Sequence, residues 1–162
     1  MPEQAPKFKS LDSLELIVKG LKKQEKKIIL ANGCFDILHV GHIRYLTGAK
    51  NLGDVLIVAL NSDESTRALK GNGRPITTEQ ERIEIISALE CVDYVTLFSE
   101  LNMDNVLLRL KPDVHAKGSD YTEDSVPEKE TVKSYGGTVA ITGDPKDHST
   151  KDIIKIISGL HR

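Results

Sequence analysis

Residues 28–42 read Ile-Ile-Leu-Ala-Asn-Gly-Cys-Phe-Asp-Ile-Leu-His-Val-Gly-His. The apolar run that opens this stretch predicts a buried strand, Gly33 predicts a turn, and His39 and His42 lie where a helix would begin. The N–H groups at the start of a helix, together with the helix dipole, attract anions. Because Gly41 lacks a side chain, a ligand can approach the backbone closely there. The stretch therefore predicts a site for the phosphates of a nucleotide, with two imidazole donors beside them.

Two other interpretations of the histidine pair remain open. Histidines three residues apart on a helix can ligate zinc, but a zinc site needs at least a third protein ligand. Neither a nearby Cys-x-x-Cys nor another histidine cluster supplies one, so we predict no metal site built from protein side chains. The second interpretation is a structural helix cap with incidental histidines, although it explains neither Gly41 nor the turn at Gly33.

The composition is that of an ordinary globular protein. The chain has 162 residues, of which 39% are apolar and 28% charged, and this is enough for one domain with a substantial core. The net charge of −2 provides no basic excess, so we expect no nucleic-acid partner. Two cysteines make no disulfide framework, and the polar first ten residues do not resemble a signal peptide. Since no apolar run reaches membrane-spanning length, we expect a cytoplasmic protein without a membrane partner.

Predicted strands and helices alternate along the chain. Apolar runs predict the strands, and periodic apolar positions with polar caps predict the helices between them. Such alternation is typical of an α/β protein with a parallel sheet and right-handed crossovers. We predict a single-domain, Rossmann-like, doubly wound parallel sheet of about five strands in residues 25–162, preceded by a helical extension in residues 1–24. The predicted strands cover residues 28–31, 55–60, 93–98, 114–117 and 138–142.

Ligands of such sheets bind at the carboxyl ends of the strands. The loops predicted at that edge comprise residues 33–42, 61–63, 117–121 and 142–150. The unusual polar residues gather in these loops, so we expect the functional site there. A further segment, residues 65–75, contains Gly71 and Gly73 and predicts a mobile loop.

A second phosphate-binding feature lies near the end of the chain. Residues 147–154 read Asp-His-Ser-Thr-Lys-Asp-Ile-Ile, and Ser149 has the position and side chain of a helix N-cap. Two helix N-termini that converge on one crevice can hold a triphosphate from both sides. Taken alone, Ser149 is more simply a plain cap with Thr150 in the first turn. The histidine pair at the same sheet edge favours the phosphate interpretation.

With both motifs in place, the chain resembles the nucleotidylyltransferase superfamily, which is defined by His-x-Gly-His and a late helix start rich in Ser and Thr. Within it, the chain is similar to the adenylyltransferases of D-glycero-β-D-manno-heptose 1-phosphate, over about residues 25–158. We expect a stand-alone version, since the sequence contains no sugar-kinase half. Besides the histidine motif, the likeness rests on Asn61-Ser62-Asp63, Gly73-Arg74-Pro75, Glu81-Arg82, Ala88-Leu89-Glu90, Val92-Asp93, Lys111-Pro112-Asp113, Lys117-Gly118-Ser119-Asp120-Tyr121 and Gly136-Gly137.

The resemblance implies roles for the matching positions. His39 and His42 would bind the phosphates and act in catalysis. Nucleotide binding would involve Gly33, Cys34, Phe35, Gly41, Arg82, Lys117, Gly118, Ser149 and Thr150. Binding of the sugar phosphate would involve Asp36, Asn61, Asp63, Arg74, Asp120 and Tyr121.

Several of these roles have alternatives. The family usually has Thr where this chain has Lys151, which either adds a catalytic positive charge beside the pyrophosphate or points outward. Arg82 could be a simple surface arginine. Arg74 either lies in solvent or clamps a substrate phosphate when its loop closes. Asp36 holds the turn or contacts the sugar, and Asp120 is a ligand or only a turn residue.

The implied reaction is attack by a sugar 1-phosphate oxygen on the α-phosphate of ATP, which gives ADP-heptose and pyrophosphate. A phosphate monoester is largely dianionic at neutral pH, since its second pKa is about 6, so it needs no general base. Catalysis then requires alignment and the stabilisation of negative charge. We expect Mg²⁺ to arrive with the triphosphate, because it keeps several waters and needs few protein ligands. The expected partners are ATP and the sugar 1-phosphate, and a homo-oligomer is compatible with the sequence.

Two other functions are consistent with the same motifs. One is cytidylyl or adenylyl transfer to another acceptor, such as glycerol phosphate or flavin mononucleotide. The other is a nucleotide-binding regulator that has lost catalysis. A redox dinucleotide-binding domain is disfavoured, because no Gly-x-Gly-x-x-Gly follows the first strand.

Overall fold

A five-stranded sheet forms the centre of the fold. The computed structural model describes residues 5–145 and 148–160. The strands are β1 (Ile28–Gly33), β2 (Val55–Asn61), β3 (Tyr94–Phe98), β4 (Val114–Gly118) and β5 (Thr138–Thr142). They lie in the order β3-β2-β1-β4-β5, and every neighbouring pair is parallel. The predicted Rossmann-like doubly wound sheet is therefore confirmed.

Several of the described helices begin at Ser or Thr N-caps, among them the predicted Ser149. The side chains of Ser10, Thr78 and Ser149 each accept a backbone N–H from the first turn of the helix that follows. None of the described helices is long and apolar enough to cross a bilayer. The helices of the described residues are α1 (Leu11–Lys23), α2 (Val40–Lys50), α3 (Asp63–Lys70), α4 (Glu79–Ser87), α5 (Asp104–Leu110), α6 (Lys129–Ser134) and α7 (Thr150–Gly159).

Helices cover both faces of the sheet, which explains why its central strands are apolar throughout. All seven residues of β2 are buried. Their side chains alternate between a core cluster that includes α2 and α4 and a second cluster that includes α1, α5 and α6. Leu14 and Val18 of α1 belong to the second cluster. The boundary predicted between residues 24 and 25 stays a prediction.

The strand order places a topological switch beside β1. The chain builds β2 and β3 on one side of β1 and then crosses over to build β4 and β5 on the other. At such a point the connections leave the sheet in opposite directions and open a crevice at the carboxyl ends of the strands. The turn after β1, which carries the histidine motif, lies at this crevice.

The prediction of a mobile loop over residues 65–75 was wrong for its first half, which belongs to α3. Ser62 is the N-cap of α3 and accepts the Ser65 N–H at 3.2 Å. The negative charges of Asp63 and Glu64 in the first turn also interact favourably with the helix dipole. The irregular part of this connection begins at Gly71, where φ is +99°.

Candidate functional site

A cavity of about 900 Å³ opens at the carboxyl edge of the sheet. Its walls come from the turn after β1, the start of α2, the loops after β4 and β5, and the start of α7. All of the predicted site residues line this cavity except Asp63 and Arg82. Asp147, which belongs to the second motif, lies outside the described residues.

His39 and His42 lie against each other at the start of α2. His39 is the N-cap residue, and its Nδ1 accepts the Gly41 N–H at 3.1 Å. The Nδ1 of His42 in turn accepts the His39 N–H at 3.2 Å. The two rings stack with their centroids 3.8 Å apart. Both rings are therefore held in a fixed orientation by the backbone of the helix that they cap.

The protonation of this pair follows from its hydrogen bonds. A ring nitrogen that accepts a hydrogen bond carries no proton, so a neutral ring in this arrangement has its proton on Nε2. Burial lowers the pKa of His42 to about 4, with smaller contributions from His39 and Lys70. His42 is thus neutral at pH 7. Since both residues line the cavity, their Nε2–H groups can serve as a pair of donors to phosphate oxygens.

The structure adds a steric reason for glycine at position 41. A Cβ on Gly41 would lie 2.8 Å from Cε1 and 2.9 Å from Nδ1 of His39, so the capping ring occupies the space of a side chain.

Phe35, in the turn after β1, has an unusual backbone: it is buried, has a φ of +49°, and stacks on Tyr45 with ring centroids 6.4 Å apart. The Phe35 ring belongs to the core, which leaves its backbone for contact with a ligand.

The start of α7 forms another wall of the cavity. The Oγ of Ser149 accepts the Asp152 N–H at 3.0 Å and so caps the helix. The Thr150 hydroxyl donates to the Ile37 carbonyl at 3.0 Å, which ties α7 to the segment before α2. Lys151 is exposed in the first turn and lines the cavity. Two helix N-termini therefore converge on one cavity.

Arg82 and Asp63 do not line the cavity, although the resemblance implied substrate contacts for both. Arg82 is fully buried and donates to the carbonyls of Cys34 at 2.8 Å and Asn61 at 2.6 Å. It also donates to the Thr77 carbonyl at 3.2 Å, and its Nη2 pairs with Asp63 at 2.8 Å. In this structure the buried Arg82 joins the loops after β1 and β2, and the partly exposed Asp63 pairs with it.

Asp36 anchors the segment between α3 and α4. Its buried carboxylate accepts the N–H groups of Ile76 at 2.8 Å and Thr77 at 2.9 Å, and it pairs with Arg74 at 2.6 Å. Burial alone would raise the pKa of Asp36, but these hydrogen bonds outweigh it and lower the pKa. Asp36 therefore holds this segment, and Arg74 is engaged by Asp36 instead of lying in solvent. Contact of Asp36 with the sugar stays a prediction.

The sequence analysis predicted Lys117 and Tyr121 at this cavity but missed the polar network that Asn32 and His115 form with Lys117. The Oδ1 of Asn32 lies 3.1 Å from Nε2 of His115 and 3.5 Å from Nζ of Lys117. The Lys117 Nζ also lies 4.5 Å from the centre of the Tyr121 ring, a cation–π contact. Burial lowers the pKa of Lys117, and it lowers the pKa of His115 to about 3. The available signal was the two-residue spacing of His115 and Lys117, which places them on one face of a strand.

Two further residues at the cavity were not predicted. His148 lies with its ring centroid 6.4 Å from that of His39. Arg44, two residues after His42 in α2, pairs with Asp144 at 2.8 Å. The carbonyl of Asp144 also accepts the Ser119 hydroxyl at 2.5 Å. These contacts connect α2 with the loops after β4 and β5, so three walls of the cavity are joined.

Comparisons with known proteins identify relatives over most of the chain. A family described as cytidylyltransferase-like matches residues 30–156. The bifunctional protein HldE of Geotalea uraniireducens is 47% identical over 156 residues, which are 96% of this chain and 32% of that protein. HldE of Geobacter metallireducens is 49% identical over 148 residues, 91% of this chain and 30% of that protein. The chain thus spans about a third of the length of these relatives.

Two solved structures are also similar. A lipopolysaccharide core biosynthesis protein from Thermoplasma volcanium is 38% identical with a TM-score of 0.61, over 72% of this chain and 93% of that chain. A pantoate-beta-alanine ligase from Francisella tularensis is 20% identical with a TM-score of 0.59, over 96% of this chain and 79% of that chain, and shows a likeness of fold alone. Because the family match includes both the histidine motif and the start of α7, the chain belongs to the cytidylyltransferase-like family.

Proposed function

We propose that this protein is an adenylyltransferase that joins ATP and D-glycero-β-D-manno-heptose 1-phosphate to give ADP-heptose and pyrophosphate. The observation that carries the proposal is the convergence of the His39 and His42 donors with the start of α7 on one cavity. Such a site stabilises charge on a triphosphate. The family membership and the likeness to HldE proteins and to a lipopolysaccharide core biosynthesis protein support this function.

The residues of the site would act through position and charge. The Nε2–H groups of His39 and His42 would bind phosphate oxygens most strongly as negative charge develops at the transferred phosphorus. The N–H groups at the start of α7 and the Ser149 hydroxyl would bind the outer phosphates, and Lys151 would add positive charge. The attacking phosphate is already dianionic, with a second pKa of about 6, so no side chain has to remove a proton. The protein then supplies alignment of the two reactants.

Mg²⁺ is the proposed cofactor and would arrive with ATP. Within residues 5–145 and 148–160, no three His, Cys, Asp or Glu side chains lie close enough together to hold a metal ion. This fits an ion whose ligands are largely phosphate oxygens and waters, as is usual for Mg²⁺. When bound, the ion neutralises charge on the triphosphate. A cytoplasmic location, where ATP is available, and a homo-oligomer are part of the same proposal.

A second candidate is cytidylyl transfer to an acceptor such as glycerol phosphate, which the description of the matched family favours. A pyrophosphate-release assay separates the two. ATP and CTP are each paired with both anomers of the heptose 1-phosphate and with glycerol phosphate. We expect rapid release only with ATP and the β anomer. Release with CTP and glycerol phosphate would select the second candidate, and ATP binding without release from any pair would indicate a regulator.

A further inference from the structure

The segment before α6 places a buried carboxylate in the wall of the cavity. Glu128 is 6% exposed and lines the cavity. Its Oε1 accepts the Met103 N–H at 3.3 Å, which ties this segment to the loop after β3. Its Oε2 is buried and has no hydrogen-bond partner among the described residues. Since a buried carboxylate oxygen without a donor costs free energy, this arrangement favours a ligand that supplies the donor.

The surroundings of Glu128 limit the chemistry of such a ligand. A carboxylate repels phosphate, so this part of the cavity does not suit the anionic groups of either reactant. Phe98 and Leu101 add apolar surface to the same cavity. Burial lowers the pKa of Lys117, and the nearby Glu128 charge offsets part of that lowering. Apolar surface with a carboxylate acceptor suits the carbon face and the hydroxyl groups of a sugar or another polyol.

The groups that would bind the phosphates lie on other walls of the cavity. The histidines follow β1 and α7 follows β5, whereas Glu128 and Met103 connect the loop after β3 with the segment before α6. Glu128 therefore lies on a different element from the histidines and from the start of α7. A reactant with a phosphate at one end and hydroxyls at the other matches this separation.

We propose that Glu128 is a specificity-determining residue whose carboxylate accepts hydrogen bonds from hydroxyl groups of the acceptor sugar. This inference rests on the proposed function, because it takes the second reactant to be a sugar phosphate. The terminal torsion of a Glu side chain has a broad minimum, so a rotation of the carboxylate can present an oxygen to the ligand. Its two oxygens have about four acceptor sites, enough for the Met103 N–H and a sugar hydroxyl together.

Glu128→Gln tests the assignment in steady-state kinetics. The amide keeps an oxygen that can accept the Met103 N–H, but it replaces the second acceptor with a donor. We expect the KM for the sugar 1-phosphate to rise roughly 10- to 100-fold, with the KM for ATP and the thermal midpoint nearly unchanged. Glu130→Gln is the matched control, because Glu130 is exposed on α6 and should leave all three quantities unchanged. A purely structural role for Glu128 would lower the thermal midpoint without this selective change in one KM.

Deoxy analogues of the acceptor provide a measurement on the wild-type protein. Removing the hydroxyl that Glu128 binds should raise the KM of the wild type by a similar factor. The same removal should change the KM of Glu128→Gln little, because that variant has already lost the contact. If Glu128→Gln and every deoxy analogue keep the wild-type KM, the inference is overturned while turnover of the heptose phosphate leaves the proposed function intact. Turnover of a different polyol phosphate would overturn the heptose assignment alone, and the same comparison with that acceptor then tests Glu128. A wild type that neither turns over nor binds any sugar or polyol phosphate in calorimetry overturns both.

Discussion

The Nδ1 of His42 accepts a hydrogen bond from the backbone N–H of His39, at 3.2 Å, while the Nδ1 of His39 accepts the N–H of Gly41. One nitrogen of each ring thus stabilises the start of α2, and both residues line the cavity. The structural cap, which the sequence presented as an alternative to a phosphate site, is formed by both rings, and the proposed phosphate site would use the same two side chains. A substitution that keeps the cap and removes the second nitrogen separates these roles.

His39→Asn is such a substitution, since Asn is among the best N-cap residues but has no Nε2–H. We expect turnover to fall on the order of 100- to 1000-fold, with ATP binding and stability close to those of the wild type. His39→Ala should lose the same turnover and also about 1 kcal/mol of stability, because the cap is gone. Pyrophosphate-release kinetics and urea unfolding measure these effects. Turnover near the wild-type value in His39→Asn would show that the ring is only a cap.

Acid should destabilise the fold through its buried histidines. Burial lowers the pKa of His42 to about 4 and that of His115 to about 3 in the folded protein. In the unfolded chain both rings titrate near about 6.5, so the unfolded state binds more protons between these values. The free energy of unfolding should therefore fall as the pH drops from about 6.5 toward 4.

His115→Gln provides the control for this pH dependence. Gln can still contact Asn32 but does not titrate. Its loss of unfolding free energy between about pH 7.5 and pH 5 should be smaller than that of the wild type. Urea unfolding at the two pH values gives the comparison. An equal loss in both proteins would mean that His115 does not resist protonation in the folded state.

Arg82→Ala should destabilise the protein strongly. The substitution leaves the carbonyls of Cys34 and Asn61 without their donor and removes the partner of Asp63. We expect a loss of about 3–5 kcal/mol in the free energy of unfolding, as for other broken buried ion pairs. Asp63→Asn is the comparison; its side chain is 34% exposed and the amide keeps an oxygen that can accept from Arg82, so the loss should be smaller than for Arg82→Ala. If Arg82→Ala kept wild-type stability and lost ATP affinity, the arginine would be a nucleotide ligand after all.

Lys151→Thr tests whether the lysine contacts the triphosphate. A cation in the first turn opposes the helix dipole, so the substitution should raise the stability of the ligand-free protein by a few tenths to about 1 kcal/mol. It should weaken ATP binding, because a positive charge beside the phosphates is lost. Lys155→Thr, one turn further along α7 and exposed, should leave ATP affinity unchanged. Calorimetric titration of ATP decides the question, and equal or tighter binding by Lys151→Thr refutes the phosphate role.

Local patterns were sufficient for the five strands, for the helices other than α3, and for the capped helix starts at the cavity. The run from Val55 to Leu60 predicted a strand buried on both faces, and every residue of β2 is buried. Ser149 was recognised as a cap because an N-cap and its partners lie within one turn of chain. The same holds for the histidine pair, whose hydrogen bonds join residues two and three positions apart.

The roles of Arg82, Asp36 and Glu128 depended instead on packing between distant segments. Arg82 reaches a carbonyl 48 residues away, Asp36 an N–H group 40 residues away, and Glu128 an N–H group 25 residues away. The partners of a buried polar group are set by the fold and can be distant in sequence. Neither composition nor periodicity therefore reveals which charged side chain pairs with other groups inside the protein. The sequence by itself determined that this chain builds a parallel sheet with two capped helix N-termini at one edge. The tertiary contacts decided which of its charged residues hold the loops and which face the cavity.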